Sequence, residues 1–170
     1  VSAGGAITET IYALGLGHLV AGVDTSSVYP KEATKLPKVG YQRRLSAEGV
    51  LSLNPTVVVV SDHAGPPEAL EQIRAAKIKV VVVTGKPGID HAYERVLALG
   101  EALGAQDKAS ALVTGMKKKM SELLGVLNSE GPKPKVLSVY ARGQGSVNVA
   151  GKNSASSMMI TMAGGENAVR

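Results

Sequence analysis

Apolar positions along the first half of the chain follow two alternating rhythms. Ile7, Ile11 and Leu14 recur at helical spacing after the Ala3-Gly4-Gly5 turn, and Gly15 and Gly17 close that segment. The opening VSAGG reads as the end of a strand entering this turn. A short β run is expected at 19–23, followed by a polar loop over 24–38. Ser46 is placed to cap a helix over 46–53, with Val50, Leu51 and Leu53 on its buried side, and Asn54-Pro55 breaks it. The unbroken apolar run 57–60 has the character of a parallel strand covered on both faces. Pro66-Pro67 opens a helix over 68–76, and 80–83 repeats the buried-strand pattern. Strand and helix in alternation predict an α/β sheet with helical crossovers.

The rhythm changes after Gly85-Lys86-Pro87-Gly88. Helices are expected over 92–103 and 107–127. The second carries Leu112, Val113, Met116, Met120, Leu123, Leu124 and Leu127 at near-helical spacing and would span roughly 30 Å. A Gly-Pro-Lys-Pro linker follows at 131–134, then strands at 135–140 and 147–150 and a helix over 153–162. Ala150-Gly151 before that helix echoes Ala3-Gly4 before the first. The expected organisation is an N-terminal α/β lobe (1–86), a helical linker with a long backbone helix (87–130), and the start of a C-terminal α/β lobe (131–170). That is a fold of two Rossmann-like lobes joined by a spacer helix stiff enough to limit hinge closure. Both chain ends read as cut through structure, so the second lobe is expected to be incomplete.

Composition narrows the class without naming it. The chain has 170 residues, 44% hydrophobic and 19% charged, an ordinary globular balance. Its longest apolar runs are strand-sized, far short of the roughly 20 residues a membrane-spanning helix needs. The net charge of +5 is spread along the chain, so it suits an anionic ligand without nominating nucleic acid. Its one basic cluster, Lys117 to Lys119, lies on the solvated face of the long helix. Cysteine is absent, which removes disulfides, thiol nucleophiles and thiolate metal sites. With five Tyr and no Phe or Trp, each aromatic ring carries information, and Tyr41 stands in what reads as a loop, LPKVGYQRR.

Three stretches are distinctive: LPKVGYQRRLSAEGVLSLNPTVVVVSDHAGPPEALEQI, the long helix, and VNVAGKNSASSMMITMAGGENAV. Together they resemble the haem-binding substrate-binding proteins of bacterial ABC importers, within the class that captures cobalamin and iron-siderophore complexes. The 51–61 segment carries the class-wide likeness. Val39-Gly40-Tyr41 and Ala64-Gly65-Pro66-Pro67 point to the haem branch. The resemblance implies a non-enzymatic, periplasmic protein, or a cell-surface lipoprotein in a Gram-positive organism. Such a protein binds ferric haem in the cleft between two lobes and delivers it to the permease of an ABC transporter in the inner membrane.

Tyr41 is the expected iron ligand. Ferric iron is hard, a phenolate is a hard anionic oxygen, and tyrosinate ligates haem iron. A neighbouring guanidinium favours the charged phenolate, a role the resemblance also gives to Arg43. Arg44 is expected to meet a haem propionate or to face water. Against this stands the plain alternative of a loop tyrosine with a solvated hydroxyl. With so few aromatics, the pocket walls are expected to be aliphatic and to supply most of the affinity, at ~25 cal/mol per Å² buried. In the family, a histidine after the second Ala-Gly turn sometimes adds a second axial ligand. Here Ser154-Ala155-Ser156-Ser157 stands instead, so five-coordinate iron is expected.

Other residues carry weaker signals. His63 follows a buried parallel strand, where ligand crevices form. His18 and His91 read as structural helix-end residues. Gly4 and Gly5 could offer backbone N–H groups to an anion such as a propionate. Glu68 and Glu71 begin a surface helix, where they complement its dipole. The resemblance implies that an acidic residue there, Glu68, docks on permease arginines. Two rivals stand beside this reading: the same scaffold carrying a siderophore or cobalamin, and a nucleotide-dependent α/β enzyme. The second lacks a full G-x-G-x-x-G, a Walker lysine and any Ser-His-Asp or Cys-His set. Exposed apolar edges on an incomplete second lobe would also favour pairing between two copies.

Overall fold

Three parallel strands, β1 (Ser2–Ala3), β4 (Val57–Ser61) and β5 (Lys79–Val83), lie side by side in that order and organise the first half of the molecule. The computed structural model describes residues 1–127, 131–143 and 145–169; the expected boundary at residue 130 and the last residue, 170, lie outside these. The chain divides into two compact units, Val1–Lys86 with Asp90–Val113, and Pro87–Ile89 with Thr114–Arg170.

In the first unit, β1 (Ser2–Ala3) leads through Gly4 into α1 (Gly5–Ala13). A hairpin of β2 (Gly40–Tyr41) and β3 (Arg44–Leu45) precedes α2 (Ala47–Leu51), β4 (Val57–Ser61), α3 (Pro67–Ala75) and β5 (Lys79–Val83). Then come α4 (Ile89–Ala102) and α5 (Gln106–Val126), the latter contributing to this unit as far as Val113. The register sets Ser2 beside Val59 and Val58 beside Val80. Val58, Val59 and Val60 are all buried, as a parallel strand covered on both faces requires. Val58 and Val60 pack with Val39, Leu45, Val50, Leu70 and Ile73. Full burial of a side chain such as Ile73 stabilises the fold by about 1.5–3 kcal/mol.

Local chemistry sets the helix starts. The Ser46 hydroxyl accepts from the Gly49 amide at 2.9 Å, the expected cap of α2, worth about 1 kcal/mol. Pro67 occupies the first turn of α3, where its missing N–H costs nothing.

Two expectations in this unit change. Residues 19–23 form no strand. Gly17–Leu19 makes a 3-10 turn, and the amides of Leu19 and Val20 donate to Leu16 and Gly17, which uses the donors a ladder would need. Val23 makes isolated bridges, to Ser2 on one side and Lys38 on the other. The polar stretch 24–38 holds a second 3-10 helix, Lys31–Lys35.

In the second unit, β6 (Lys135–Val136) pairs in parallel with β9 (Glu166–Asn167), and β7 (Val139–Arg142) pairs antiparallel with β8 (Ser146–Val149). The single strand expected over 135–140 is therefore two, broken at Leu137-Ser138 because the two halves bond different partners. Ser154 caps α6 (Ala155–Met162) by accepting from the Ser157 amide at 3.1 Å. The echo of Ala3-Gly4 in Ala150-Gly151 is thus partial, since α1 starts directly at Gly5 with no side-chain cap. Among the described residues of this unit only Ser157 and Gly165 are buried. The apolar stripe of α5 is buried at Ala109 and Val113, whereas Leu123, Leu124 and Leu127 are exposed.

Candidate functional site

The strand ends of the first unit gather its candidate chemistry. Tyr41 lies in the β2–β3 hairpin rather than in an irregular loop, and 44% of it is exposed. Its cross-strand partner is Arg44, with Gly40 opposite Leu45. Residues directly opposite in an antiparallel pair share a face, so Tyr41 and Arg44 project on one side of the hairpin, while Leu45 is buried in the core. Arg43 is exposed in the two-residue turn, and among the described residues neither arginine hydrogen-bonds the Tyr41 hydroxyl. The residue paired with Tyr41 across the hairpin is Arg44.

Bonds from two other loops, the 24–27 turn and the loop after β4, hold the hairpin. Gly40 has φ +99, and a Cβ there would stand 2.6 Å from the Arg44 carbonyl, so only glycine fits. The Gly40 carbonyl accepts from the Thr25 amide at 2.8 Å. The Gln42 carbonyl accepts from the Gly65 amide at 3.0 Å, and the Leu45 amide donates to the Gly65 carbonyl at 2.8 Å. Gly65 thus clamps the hairpin to the loop after β4. Neither Gln42 nor Arg43 has positive φ. Two-residue hairpins favour turns with positive φ because those match strand twist. This hairpin keeps its shape through outside bonds.

The third anchor is Asp24, which is wholly buried. Its Oδ1 accepts from the Gly4 amide at 2.9 Å and the Ser27 hydroxyl at 2.7 Å. Its Oδ2 accepts from the Ser26 hydroxyl at 2.6 Å, the Ser26 amide at 3.0 Å and the Gln42 amide at 3.2 Å. Burial alone pushes this carboxyl up, but the bonds from Ser26, Ser27 and Gly4 outweigh it and hold the pKa below the usual carboxylate value. Thr8 and Ser2 extend the network, at 2.7 Å from Ser27 to Thr8 and 2.8 Å from Thr8 to Ser2. Since the Ser27 proton goes to Asp24, Thr8 donates to Ser27 and Ser2 to Thr8.

This geometry corrects the expectation for Gly4. Its amide does not await an outside anion, because the α1 N-terminus already holds the protein's own carboxylate. Gly5 is close-packed, with a Cβ there meeting the Ser26 carbonyl at 3.0 Å. His63 follows β4 as expected, with its side chain 55% exposed and Nδ1 3.6 Å from Asp62, whose Oδ1 accepts from the Gly85 amide. Glu68 and Glu71 are exposed on α3, with Glu68 in its first turn. Sequence reading missed Asp24. Its one local signal is the Asp-Thr-Ser-Ser string, whose side chains bond nearby backbone in turns.

The model of the periplasmic binding protein family matches residues 1–170. The chain belongs to the periplasmic binding protein family. Among solved structures, the periplasmic heme-binding protein RhuT from Roseiflexus sp. RS-1, in apo form, is 42% identical with a TM-score of 0.92, covering 98% of this chain and 64% of that one. An uncharacterized ABC transporter substrate-binding lipoprotein of Bacillus subtilis, YvrC, is 38% identical over 118 residues, 68% of this chain and 37% of the relative. A vitamin B12-binding protein of Pectobacterium atrosepticum is 28% identical over 116 residues, 68% of this chain and 41% of that protein. This periplasmic binding protein therefore spans less than half the length of these two relatives in their matched parts, and the resemblance read from its sequence holds.

Proposed function

We propose that this chain belongs to a protein that captures ferric haem outside the cytoplasm, with the Tyr41 phenolate as axial ligand, and passes it to an ABC importer. The observation that carries the reading is the exposed Tyr41 phenol on an anchored hairpin, with Arg44 across the strand pair. A phenolate is the hard anionic donor that ferric haem iron accepts. A guanidinium on the same face suits a propionate. The likeness to a periplasmic heme-binding protein supports this choice of cargo. His63 stands at the same strand ends, exposed and able to line the site. Capture involves no chemistry on the cargo.

The test is a titration of the purified chain with hemin. A shifted Soret band and the charge-transfer band of high-spin ferric phenolate are expected. Tyr41→Phe should abolish that band and weaken binding at least tenfold. An exposed arginine pair contributes about 0–1 kcal/mol, so Arg44→Ala should weaken binding by no more than about fivefold. A Tyr41→Phe protein with an unchanged spectrum overturns the reading. The vitamin B12-binding relative motivates a second reading, cobalamin on the same scaffold. Binding of cyanocobalamin in place of hemin, indifferent to Tyr41→Phe, would select it.

A further inference from the structure

The Tyr41 hairpin is bonded from outside, and one of its anchors is a buried charge. We infer that Asp24 is a positioning residue for ligand capture: its carboxylate fixes the Gln42 amide and thereby aims the Tyr41 side chain. The inference rests on the haem reading above. Three segments meet on this single carboxylate: the α1 N-terminus through Gly4, the 24–27 turn through Ser26 and Ser27, and the hairpin through Gln42. A buried carboxylate is costly to place unless its lone pairs are filled, and here five donors fill them.

The hairpin has particular need of such an anchor. Its turn residues, Gln42 and Arg43, lack the positive φ that matches a two-residue turn to strand twist. The chain therefore draws its strand angle from the Gln42–Asp24 bond, the Gly65 clamp and the Thr25–Gly40 bond. The two backbone anchors resist side-chain substitution, whereas Asp24 is the anchor that a substitution can remove. Because Gln42 directly follows Tyr41, loss of that bond moves the phenol before it moves the sheet. Asparagine cannot replace the carboxylate: whichever way its amide is turned, the NH2 group faces at least two donors.

The experiment compares hemin affinity and the ferric phenolate band in the wild type, Asp24→Asn, Tyr41→Phe and the double variant. Leu99→Val, at a buried position of α4 outside the core cluster that holds Leu45, serves as a destabilised control. Asp24→Asn should weaken hemin binding roughly tenfold, the weight of a charged hydrogen bond, and shift or broaden the phenolate band. The double variant should bind no more weakly than Tyr41→Phe alone, because Asp24 acts through that side chain. Leu99→Val should keep wild-type affinity. Should Asp24→Asn fail to fold, Ser27→Ala keeps the carboxylate, removes one donor, and should weaken binding by a smaller factor with the same band change.

A wild type lacking the phenolate band removes the haem reading and this inference together. A wild type with the band, alongside an Asp24→Asn or Ser27→Ala protein of unchanged affinity and spectrum, removes this inference alone. Additive losses in the double variant also overturn it.

Discussion

Asp24 is charged and enclosed, so the fold feels its protonation. Its pKa in the folded protein lies below the usual carboxylate value, so folding favours the ionised form. The stability this contributes is complete above the unfolded-state pKa of about 4 and is lost as pH falls through the lower folded value. Urea midpoints should accordingly be flat in this group's contribution from neutral pH down to about 5 and then fall below about 4. Asp24→Asn should be less stable than the wild type at pH 7, and the gap should narrow at pH 3. A gap that stays constant with pH would mean that the charge is not what the network holds. Tyr41 stands out in the sequence because rings are so scarce there. Asp24 does not, since its partners Gly4 and Gln42 lie 20 and 18 residues away and only folding brings them to one carboxylate.

Elements divide along a similar line. β4 and β5 could be read directly, because unbroken valine runs bounded by breakers have few other homes in an α/β chain. The 19–23 run looked alike in composition, but competing i→i+3 bonds claimed its amides. The long helix was found in its extent, while the buried part of its apolar stripe was not, because periodicity marks a face and not what covers it. The contact of α4 with α5 gives an element-scale prediction. A Cβ at Gly100 would overlap the Ala109 methyl. Alanine gains about 1 kcal/mol of helix propensity over glycine, yet overpacking a tight contact costs about 1–3 kcal/mol. Gly100→Ala should therefore lower the thermal midpoint. Adding Ala109→Gly should recover part of the loss, a coupling that a double-mutant cycle reads directly.

At the scale of the whole molecule, the family is settled and the cargo and its delivery are proposals. Membership was legible from the hairpin and the 51–61 segment, whose turns and strands are tied to one geometry. A role in handing cargo to a permease places its demand on the surface. Glu68 is exposed at the start of α3 and on the haem reading contacts the transporter, not the ligand. Glu68→Lys should leave hemin affinity within about twofold, as remote surface changes do, and reduce uptake in a reconstituted transport assay. Loss of affinity with uptake per bound haem unchanged would place Glu68 in the ligand site and count against docking.

The clamp made by Gly65 and Thr25 uses only main-chain atoms. Whatever side chain is written at 41, 43 or 44, those bonds persist, so the exposed rim can be reprogrammed without renegotiating the framework beneath it. A library randomised at these three positions would sample new ligand preferences on one unchanging support.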